Sequence, residues 1–248
     1  MLHVTRNPVA AAHLVAVQLD ELLAQVAAPV LLLPTGSTPQ PLYALLRARF
    51  AAGTLHMAHC QTFNLDEYWP CRADSPLSFR HFMENELFQH SDLPPAAIAF
   101  LDGTVSTDEI ASHCLAYEQA MVAAGGVDWC LLGIGVNGHI AFNEPGTAAN
   151  SVTRLVQLAA STRQRPGFPQ GNDAPKAGLT VGIQTIMSAK KIIVMACGVE
   201  KAESVRRALE EPVSTHTPAS LLRAHSNVIW VLDEAAATAL QNGGRTLS

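Results

Sequence analysis

The sequence predicts an α/β protein with a mostly parallel, doubly wound sheet and helices on both of its faces. Six short runs rich in Val, Ile and Leu recur along the chain, with segments of helical periodicity before and between them. Runs that are apolar at consecutive positions are typical of strands buried on both faces, and their alternation with helices favours parallel pairing. The chain has 248 residues, 48% of them hydrophobic, which is enough to offset the conformational entropy of ordering it. We expect one domain over residues 1–248.

The predicted elements follow one another in a regular order. The strands are Val30–Leu33, Gln61–Leu65, Ile98–Leu101, Trp129–Ile134, Ile192–Cys197 and Val228–Leu232. The helices are Val9–Val26, Pro41–Ala51, Leu77–Gln89, Thr107–Ala124, Lys201–Leu209 and Pro218–His225. The stretch Gln164–Lys176 is too rich in Pro, Gly and polar residues for a core element. We therefore expect a long surface loop there, within a lid-like segment of about residues 145–176.

Two of these helices show an apolar face in the sequence. Ser106 and Glu109 form a capping-box pattern at the start of Thr107–Ala124, and two glycines follow its last turn. Its apolar face repeats through Ile110, Cys114, Tyr117 and Met121. The N-terminal helix has its apolar face predicted at Leu14, Val17, Leu22 and Val26. Both faces are expected to pack in the core.

Composition and charge exclude several functional classes. The 16 Lys+Arg against 21 Asp+Glu give a net charge of −5, which argues against non-specific nucleic-acid binding, since that needs a basic surface. No stretch of 18 apolar residues occurs, so we expect neither a membrane span nor a membrane partner. The five cysteines are scattered without a C-x-x-C pair. This favours reduced thiols in a cytoplasmic protein over a disulfide framework or a zinc site.

Three unusual segments follow predicted strands, where open parallel sheets bind their ligands. The first, Pro34–Pro39, reads PTGSTP and precedes a predicted helix. Gly36 lets the backbone approach a ligand, and Ser37 and Thr38 add hydroxyl groups. The N–H groups at the start of the helix would favour a phosphate. An ordinary strand-to-helix turn is the alternative, because the segment is neither a Walker A nor a dinucleotide-binding motif.

The second segment, Phe63–Tyr68, reads FNLDEY and closes the strand that begins near Gln61. Asp66 and Glu67 are adjacent at a strand end, so we expect that they cannot both face the core. One of them is a candidate general base, and the other a candidate hydrogen-bond acceptor or helix cap. The alternative is that both carboxylates only solvate a loop.

The third segment, Leu132–Pro145, reads LGIGVNGHIAFNEP, and its three glycines leave His139 beside a tight turn. A histidine suits proton transfer near neutral pH, and Glu144 is a second ionisable group nearby. Asn137 can donate to or accept from an imidazole nitrogen. A structural histidine is the alternative, but the glycine clustering and the glutamate favour a functional one.

Taken in order, PTGSTP, FNLDEY and GIGVNGHIAFNEPG resemble the glucosamine-6-phosphate deaminase family, also called glucosamine-6-phosphate isomerases. The likeness continues into LTVGI (179–183), CGVEKA (197–202) and TPASLL (217–222), so it covers nearly the whole chain. The resemblance implies a Rossmann-like α/β fold. It also implies conversion of an amino-sugar 6-phosphate and water to fructose 6-phosphate and ammonia. We expect a sugar-phosphate ligand, no metal and no organic cofactor.

The resemblance implies catalytic roles for four residues. Asp66 matches the carboxylate that shuttles a proton between C2 and C1 of the opened sugar. His139 matches the imidazole that assists ring opening, and Glu144 matches the carboxylate that orients it. Some family members carry Asp where this chain has Asn137. A neutral amide can still orient the imidazole but cannot stabilise an imidazolium as a carboxylate would, so we expect a tuned proton affinity.

The resemblance also implies a phosphate site. Gly36, Ser37 and Thr38 match the phosphate loop, and Lys201 matches a lysine that pairs with the phosphate. Many members place a phosphate-binding arginine several residues after a Thr-Arg pair. Here the segment after that pair is a few residues shorter, and either Arg163 or Arg165 can serve. We include Arg165 among the candidate phosphate-binding residues.

Other functions remain open at this point. A shortened lid is also seen in similar deaminases that act on galactosamine 6-phosphate, so the configuration at C4 is unsettled. The related 6-phosphogluconolactonases share a Gly-rich phosphate loop but do not typically show the runs at 66–68 and 142–145. A sugar-phosphate sensor of the repressor type would carry an N-terminal helix-turn-helix, for which too few residues precede the first strand. Family members range from monomers to hexamers, which allows a homo-oligomer.

Overall fold

The computed structural model describes residues 1–163, 168 and 174–241. The strands in these residues are β1 (Leu2–Thr5), β2 (Val30–Leu33), β3 (Gln61–Asn64), β4 (Asp66–Trp69), β5 (Ile98–Ala99), β6 (Trp129–Leu132), β7 (Arg154–Gln157), β8 (Ala177–Thr180), β9 (Ile192–Ala196) and β10 (Val228–Asp233). The α-helices are α1 (Pro8–Gln25), α2 (Gln40–Ala51), α3 (Phe79–Glu86), α4 (Ile110–Ala123), α5 (Ala160–Arg163), α6 (Ile183–Met187) and α7 (Ala202–Glu210). In this part of the chain no helix is long and apolar enough to cross a membrane.

Seven strands form one sheet in the order β1-β10-β9-β6-β2-β3-β5, and its neighbouring strands pair in parallel. From β2 the chain moves through β3 to β5 at one edge, and from β6 it moves through β9 to β10 in the other direction. The strand order therefore reverses between β2 and β6, which is the topological switch point of a doubly wound sheet. The predicted fold class is confirmed.

Helices cover both faces of this sheet. Along each strand, successive residues point alternately to opposite faces. On one face Leu31, Leu33 and Leu131 pack with buried residues of α1, α2 and α3. On the other face Leu32 and Leu132 pack with α4 and α7. The strands are apolar at consecutive positions because both of these layers bury them.

Three further strands form a separate antiparallel sheet in the order β4-β8-β7. The sequence did not predict β1, β4, β7 or β8, each of which is four residues long. Two predicted helices also differ from the observed elements. The segment Pro218–Ala224 is a 3₁₀ helix, and α3 is followed by a 3₁₀ turn at Phe88–His90.

The predicted face of α4 is confirmed, whereas that of α1 is confirmed only in part, since Leu14 and Leu22 pack against the core and Val17 does not. The capping box of Ser106 and Glu109 is present, and the four predicted face residues of α4 are buried. In α1 the buried residues are Ala11, Ala12, Val15, Ala16 and Leu19. Val17, predicted to be buried, is 49% exposed. Small alanines let α1 approach the sheet closely, so its most deeply buried face combines these alanines with Val15 and Leu19.

Both carboxylates of the second segment are buried, which corrects the prediction that they could not both lie inside. Asp66 and Glu67 are 7% and 2% exposed and lie on β4. Adjacent strand residues point to opposite faces, and here both faces of β4 are covered. Glu67 caps α3, because its carboxylate accepts from the Ser78 hydroxyl at 2.6 Å and from the backbone N–H groups of Phe79 and Arg80 at 2.9 Å. The predicted helix-cap role therefore falls to Glu67.

Replacing Glu67 with Gln is expected to lower the free energy of unfolding by about 2–4 kcal/mol. In the variant, the NH₂ group of the Gln side chain faces buried donors that bond to a carboxylate oxygen in the wild type. Each buried donor left without an acceptor costs about 1–3 kcal/mol. Urea denaturation measures this change in the free energy of unfolding, provided that the m-value is the same for both proteins. Glu84→Gln on the same helix is the control, since its half-exposed carboxylate pairs with Arg80 and should change stability by less than about 0.5 kcal/mol. Equal effects of the two changes would contradict the capping role.

Candidate active site

A cavity opens at the switch point, beyond the carboxyl ends of the parallel strands. Its walls include residues 34–38 after β2, Asp66 after β3, residues 133–136 with His139 after β6, and Lys201 after β9. These four strands are neighbours in the order β9-β6-β2-β3, so their ends meet at one place. The structure thus brings together the three segments that the sequence singled out, along with Lys201.

The loop after β2 has the form of an anion site. The Tyr43 hydroxyl of α2 donates to the Pro34 carbonyl at 2.6 Å and fixes the start of the loop. Gly36 has φ +96°, and a Cβ there would have no atom within 4 Å, so the loop backbone is open on that side. Among the described residues no side chain caps the N-terminus of α2, which begins beside Pro39. The partial positive charge of that terminus is therefore available to bind an anionic ligand.

The junction of the two sheets fixes the position of Asp66. The N–H of Leu65 donates to the Leu33 carbonyl at 3.1 Å, and the N–H of Val181 donates to the Leu65 carbonyl at 2.8 Å. The main chain therefore leaves β3 in a fixed direction and enters β4, where Asp66 pairs with Thr180. The result is a buried carboxylate that borders the cavity.

His139 is linked to Glu144 through Asn137. Asn137 Oδ1 lies 2.7 Å from His139 Nδ1, and Asn137 Nδ2 donates to Glu144 Oε2 at 2.7 Å. The direct distance from His139 Nδ1 to Glu144 Oε2 is 3.4 Å, so the amide is the nearer partner of the ring. Burial alone would raise the pKa of Glu144, but hydrogen bonds and the charge of its neighbours, His139 first among them, lower it to about 2.

This arrangement determines which ring nitrogen of His139 carries a proton. An ionised carboxylate only accepts hydrogen bonds, so the amide of Asn137 must turn its NH₂ group toward Glu144. Its carbonyl oxygen then faces Nδ1, which must be the donor. Whenever the imidazole is neutral, its lone pair is therefore on Nε2. A proton acceptor of this kind can serve as a general base in the cavity.

One glycine of the third segment, Gly135, is needed for a steric reason. A Cβ on Gly135 would lie 2.2–2.4 Å from three atoms of the His139 ring, so the imidazole rests directly on the backbone at that position. The Gly135 N–H also donates to the His139 carbonyl at 2.9 Å. The ring is therefore packed against the turn that follows β6.

The structure adds residues that the sequence did not single out. The hydroxyl of Thr162 on α5 donates to Glu144 Oε1. Phe79 and Phe142 line the cavity and pack with Tyr68, with ring centroids 4.6–5.8 Å apart. No local pattern marks these contacts, because each joins separate segments of the chain.

The two candidate arginines lie at the edge of the described residues or outside them. Arg165 lies outside the described residues, as does most of the predicted loop over Gln164–Lys176. Arg163 is exposed at the end of α5. In residues 1–163, 168 and 174–241, no group of three or more His, Cys, Asp or Glu side chains is placed to hold a metal ion.

Comparison with curated proteins finds relatives over most of the chain. A protein named glucosamine-6-phosphate deaminase from Shouchella clausii is 44% identical over 83% of this chain and 83% of its own length. One with the same name from Beutenbergia cavernae is 43% identical over 93% of this chain and 89% of its own. Glucosamine-6-phosphate deaminase 2 of Bacillus subtilis is 41% identical over 86% of each chain.

Solved structures share the fold over nearly the full length. A monomeric glucosamine-6-phosphate deaminase superposes with a TM-score of 0.92 at 37% identity, over 96% of this chain and 99% of its own. The 6-phosphogluconolactonase of Trypanosoma brucei superposes with a TM-score of 0.76 at 24% identity, over 97% and 98%. The second likeness shows the fold alone. The family model for glucosamine-6-phosphate isomerases/6-phosphogluconolactonase matches residues 7–230, and the chain therefore belongs to this family, as its motifs predicted.

Proposed function

We propose that this protein converts glucosamine 6-phosphate and water to fructose 6-phosphate and ammonia. One observation carries the proposal: a single cavity is bordered by a buried carboxylate, a histidine held in one tautomer and a loop suited to phosphate. The names of the relatives at 41–44% identity support the same activity.

The phosphate binds between the loop after β2 and Lys201. Backbone groups of Gly36, Ser37 and Thr38, together with the N-terminus of α2, face the anion from one side. The lysine charge faces it from the end of β9. Because the phosphate is remote from C1 and C2, its binding orients the opened sugar for reaction.

The chemistry begins with ring opening and continues with proton transfer. Nε2 of His139 accepts the proton of the anomeric hydroxyl and passes it to the ring oxygen as that oxygen leaves C1. The resulting aldehyde acidifies the hydrogen on C2, which Asp66 removes while the ammonium group on C2 gives a proton to O1, so that an enolamine forms. Asp66 returns that proton to C1, which leaves an iminium group at C2.

Ammonia is released when water adds to C2 of that iminium. The carbinolamine then loses ammonia and becomes the ketone of fructose 6-phosphate, so the atoms of one water molecule balance the reaction. Hydrolysis of a lactone moves no proton between carbon atoms. The buried Asp66 beside the cavity therefore favours the isomerising reaction over lactone hydrolysis.

The purified protein is expected to release ammonia from glucosamine 6-phosphate, with an equal amount of fructose 6-phosphate, in the presence of EDTA. Galactosamine 6-phosphate, assayed in parallel, tests the configuration at C4, and 6-phosphogluconolactone is the control substrate. Faster turnover of the galacto epimer would reassign the substrate. Lactone hydrolysis without ammonia from either amino sugar would overturn the proposal.

Replacing Asp66 with Asn is expected to lower kcat by about 10²–10⁴-fold, because an amide of the same shape cannot take the C2 proton. KM should stay within a few-fold of the wild-type value. Asp74→Asn is the matched control, since its carboxylate is exposed and pairs with Arg72. Near-normal kcat in the first variant would place the base elsewhere.

Replacing Lys201 with Ala is expected to raise KM by about 10- to 100-fold with a smaller change in kcat. The lost charge-assisted hydrogen bond is worth about 1.5–3 kcal/mol. It binds the phosphate equally in the ground state and in the transition state, so its loss changes KM more than kcat. Lys191→Ala is the control, because Lys191 precedes β9 and so lies at the opposite end of that strand from the cavity. If KM does not change in the first variant, Lys201 does not bind the phosphate.

A further inference from the structure

Asn143 is a buried amide in residues 139–144 (the His139 turn), and no step of the proposed reaction uses it. The residue is 0% exposed. Its Nδ2 donates to the Val181 carbonyl at 2.8 Å and to the Ile140 carbonyl at 3.0 Å. Its Oδ1 accepts from Arg154 Nη1 at 3.0 Å. Both N–H groups and the oxygen of this amide are therefore engaged, which fixes its orientation.

Val181, directly after β8, links this amide to the segment of Asp66. Its N–H donates at 2.8 Å to the carbonyl of Leu65, the residue before Asp66. Its carbonyl accepts from Asn143. One residue of the main chain is thus hydrogen-bonded on one side to the segment that carries Asp66 and on the other side to the His139 turn.

A second hydrogen bond joins the same two segments. The Phe142 N–H donates to Thr180 Oγ1 at 3.1 Å, and Thr180 pairs with Asp66 in the register of β4 and β8. A single hydrogen bond would let the His139 turn pivot about the contact. Two bonds, to the successive residues Thr180 and Val181, fix its direction as well. The side chain of Asn143 supplies the second bond.

The backbone of the His139 turn is strained at Ala141, which lines the cavity. Ala141 has φ +50°, a conformation that residues with a Cβ rarely adopt. Such a conformation persists only where the surrounding contacts hold it. Asn143 closes the turn around Ala141, because its own N–H donates to the Ile140 carbonyl at 2.9 Å and its side chain donates to the same carbonyl. Without that side chain the turn would relax, and His139 would move.

We propose that Asn143 is a positioning residue that fixes His139 relative to Asp66 by tying the His139 turn to Val181. The loop after β2 and Lys201 take no part in these contacts, so turnover should depend on the tie more than substrate affinity does. The effect on turnover rests on the proposed function, whereas the effect on the turn does not.

The variants remove the tie in two ways, and the control removes a similar tie elsewhere. Asn143→Ala removes the whole amide. Asn143→Asp keeps its volume and the acceptor for Arg154 but has no N–H group for Val181, so it keeps the core filled. The control is Asp128→Ala, because Asp128 is 5% exposed and accepts from the Val30 N–H at 2.9 Å and from Lys190 Nζ at 2.6 Å. These contacts lie at the amino ends of the strands, opposite the cavity.

The first test is hydrogen–deuterium exchange of the ligand-free proteins, followed by mass spectrometry. Both Asn143 variants are expected to exchange about two- to tenfold faster than wild type in peptides that cover residues 139–144, since hydrogen bonds that close the turn are lost. Asp128→Ala should leave exchange in these peptides unchanged. Wild-type exchange rates in both Asn143 variants would show that the amide does not hold the turn, and would overturn the proposal.

The second test is steady-state kinetics with glucosamine 6-phosphate, with rates given per mole of folded protein. Both Asn143 variants are expected to lower kcat by about 10- to 100-fold with KM within about threefold, because small displacements of reacting groups are costly. Asp128→Ala should keep kcat within about twofold even where it lowers the free energy of unfolding.

Two kinetic results would also overturn the proposal. A wild-type kcat in both Asn143 variants would mean that the tie does not serve catalysis. An equal fall in kcat in Asp128→Ala would assign the effect to general loosening of the fold. If the wild-type protein releases no ammonia, the proposed function fails, and the exchange rates alone decide whether Asn143 positions the turn.

Discussion

The negative charge on Glu144 is the constraint on which the arrangement of the site depends. Hydrogen bonds and the imidazole charge hold its pKa near 2 against the effect of burial, so the carboxylate only accepts. That property, together with the backbone N–H of His139 that donates to Asn137 Oδ1 at 3.1 Å, orients the amide of Asn137, and the amide oxygen faces His139 Nδ1. The hydrogen bonds of the His139 ring are therefore set in part by a carboxylate that contacts the ring through an amide.

The topology of the sheet explains why these groups meet. The strand order reverses between β2 and β6, so the loop after β2 and the turn after β6 border the same crevice. Asp66 reaches this crevice because the chain leaves the main sheet after β3 and starts a second one. The next residue, Glu67, points the other way and caps α3. One short strand thus carries a carboxylate that borders the cavity on one face and a carboxylate that caps a helix on the other.

The sequence predicted what depends on local pattern and missed what depends on tertiary partners. Consecutive apolar positions marked the buried strands β2, β6 and β9, and glycines marked the turn that His139 rests on. The strands β7 and β8 carry no such run, and each is defined by its partner in the small sheet. The prediction for Asp66 and Glu67 assumed one covered face and was wrong, because the small sheet supplies a second. Thr162 had no local signal, since its partner lies 18 positions away and only folding brings them together.

An amide at position 137 is the choice that suits an ionised Glu144. A carboxylate there would place a second negative charge at the 2.7 Å contact that Asn137 Nδ2 now makes, and one of the two groups would have to bind a proton. The amide instead donates to the carboxylate and accepts from the imidazole, so both contacts are satisfied without like-charge repulsion. It carries no charge that would favour an imidazolium. The negative charge of this group therefore lies on Glu144, 3.4 Å from His139 Nδ1, and the uncharged amide is the nearer partner of the ring.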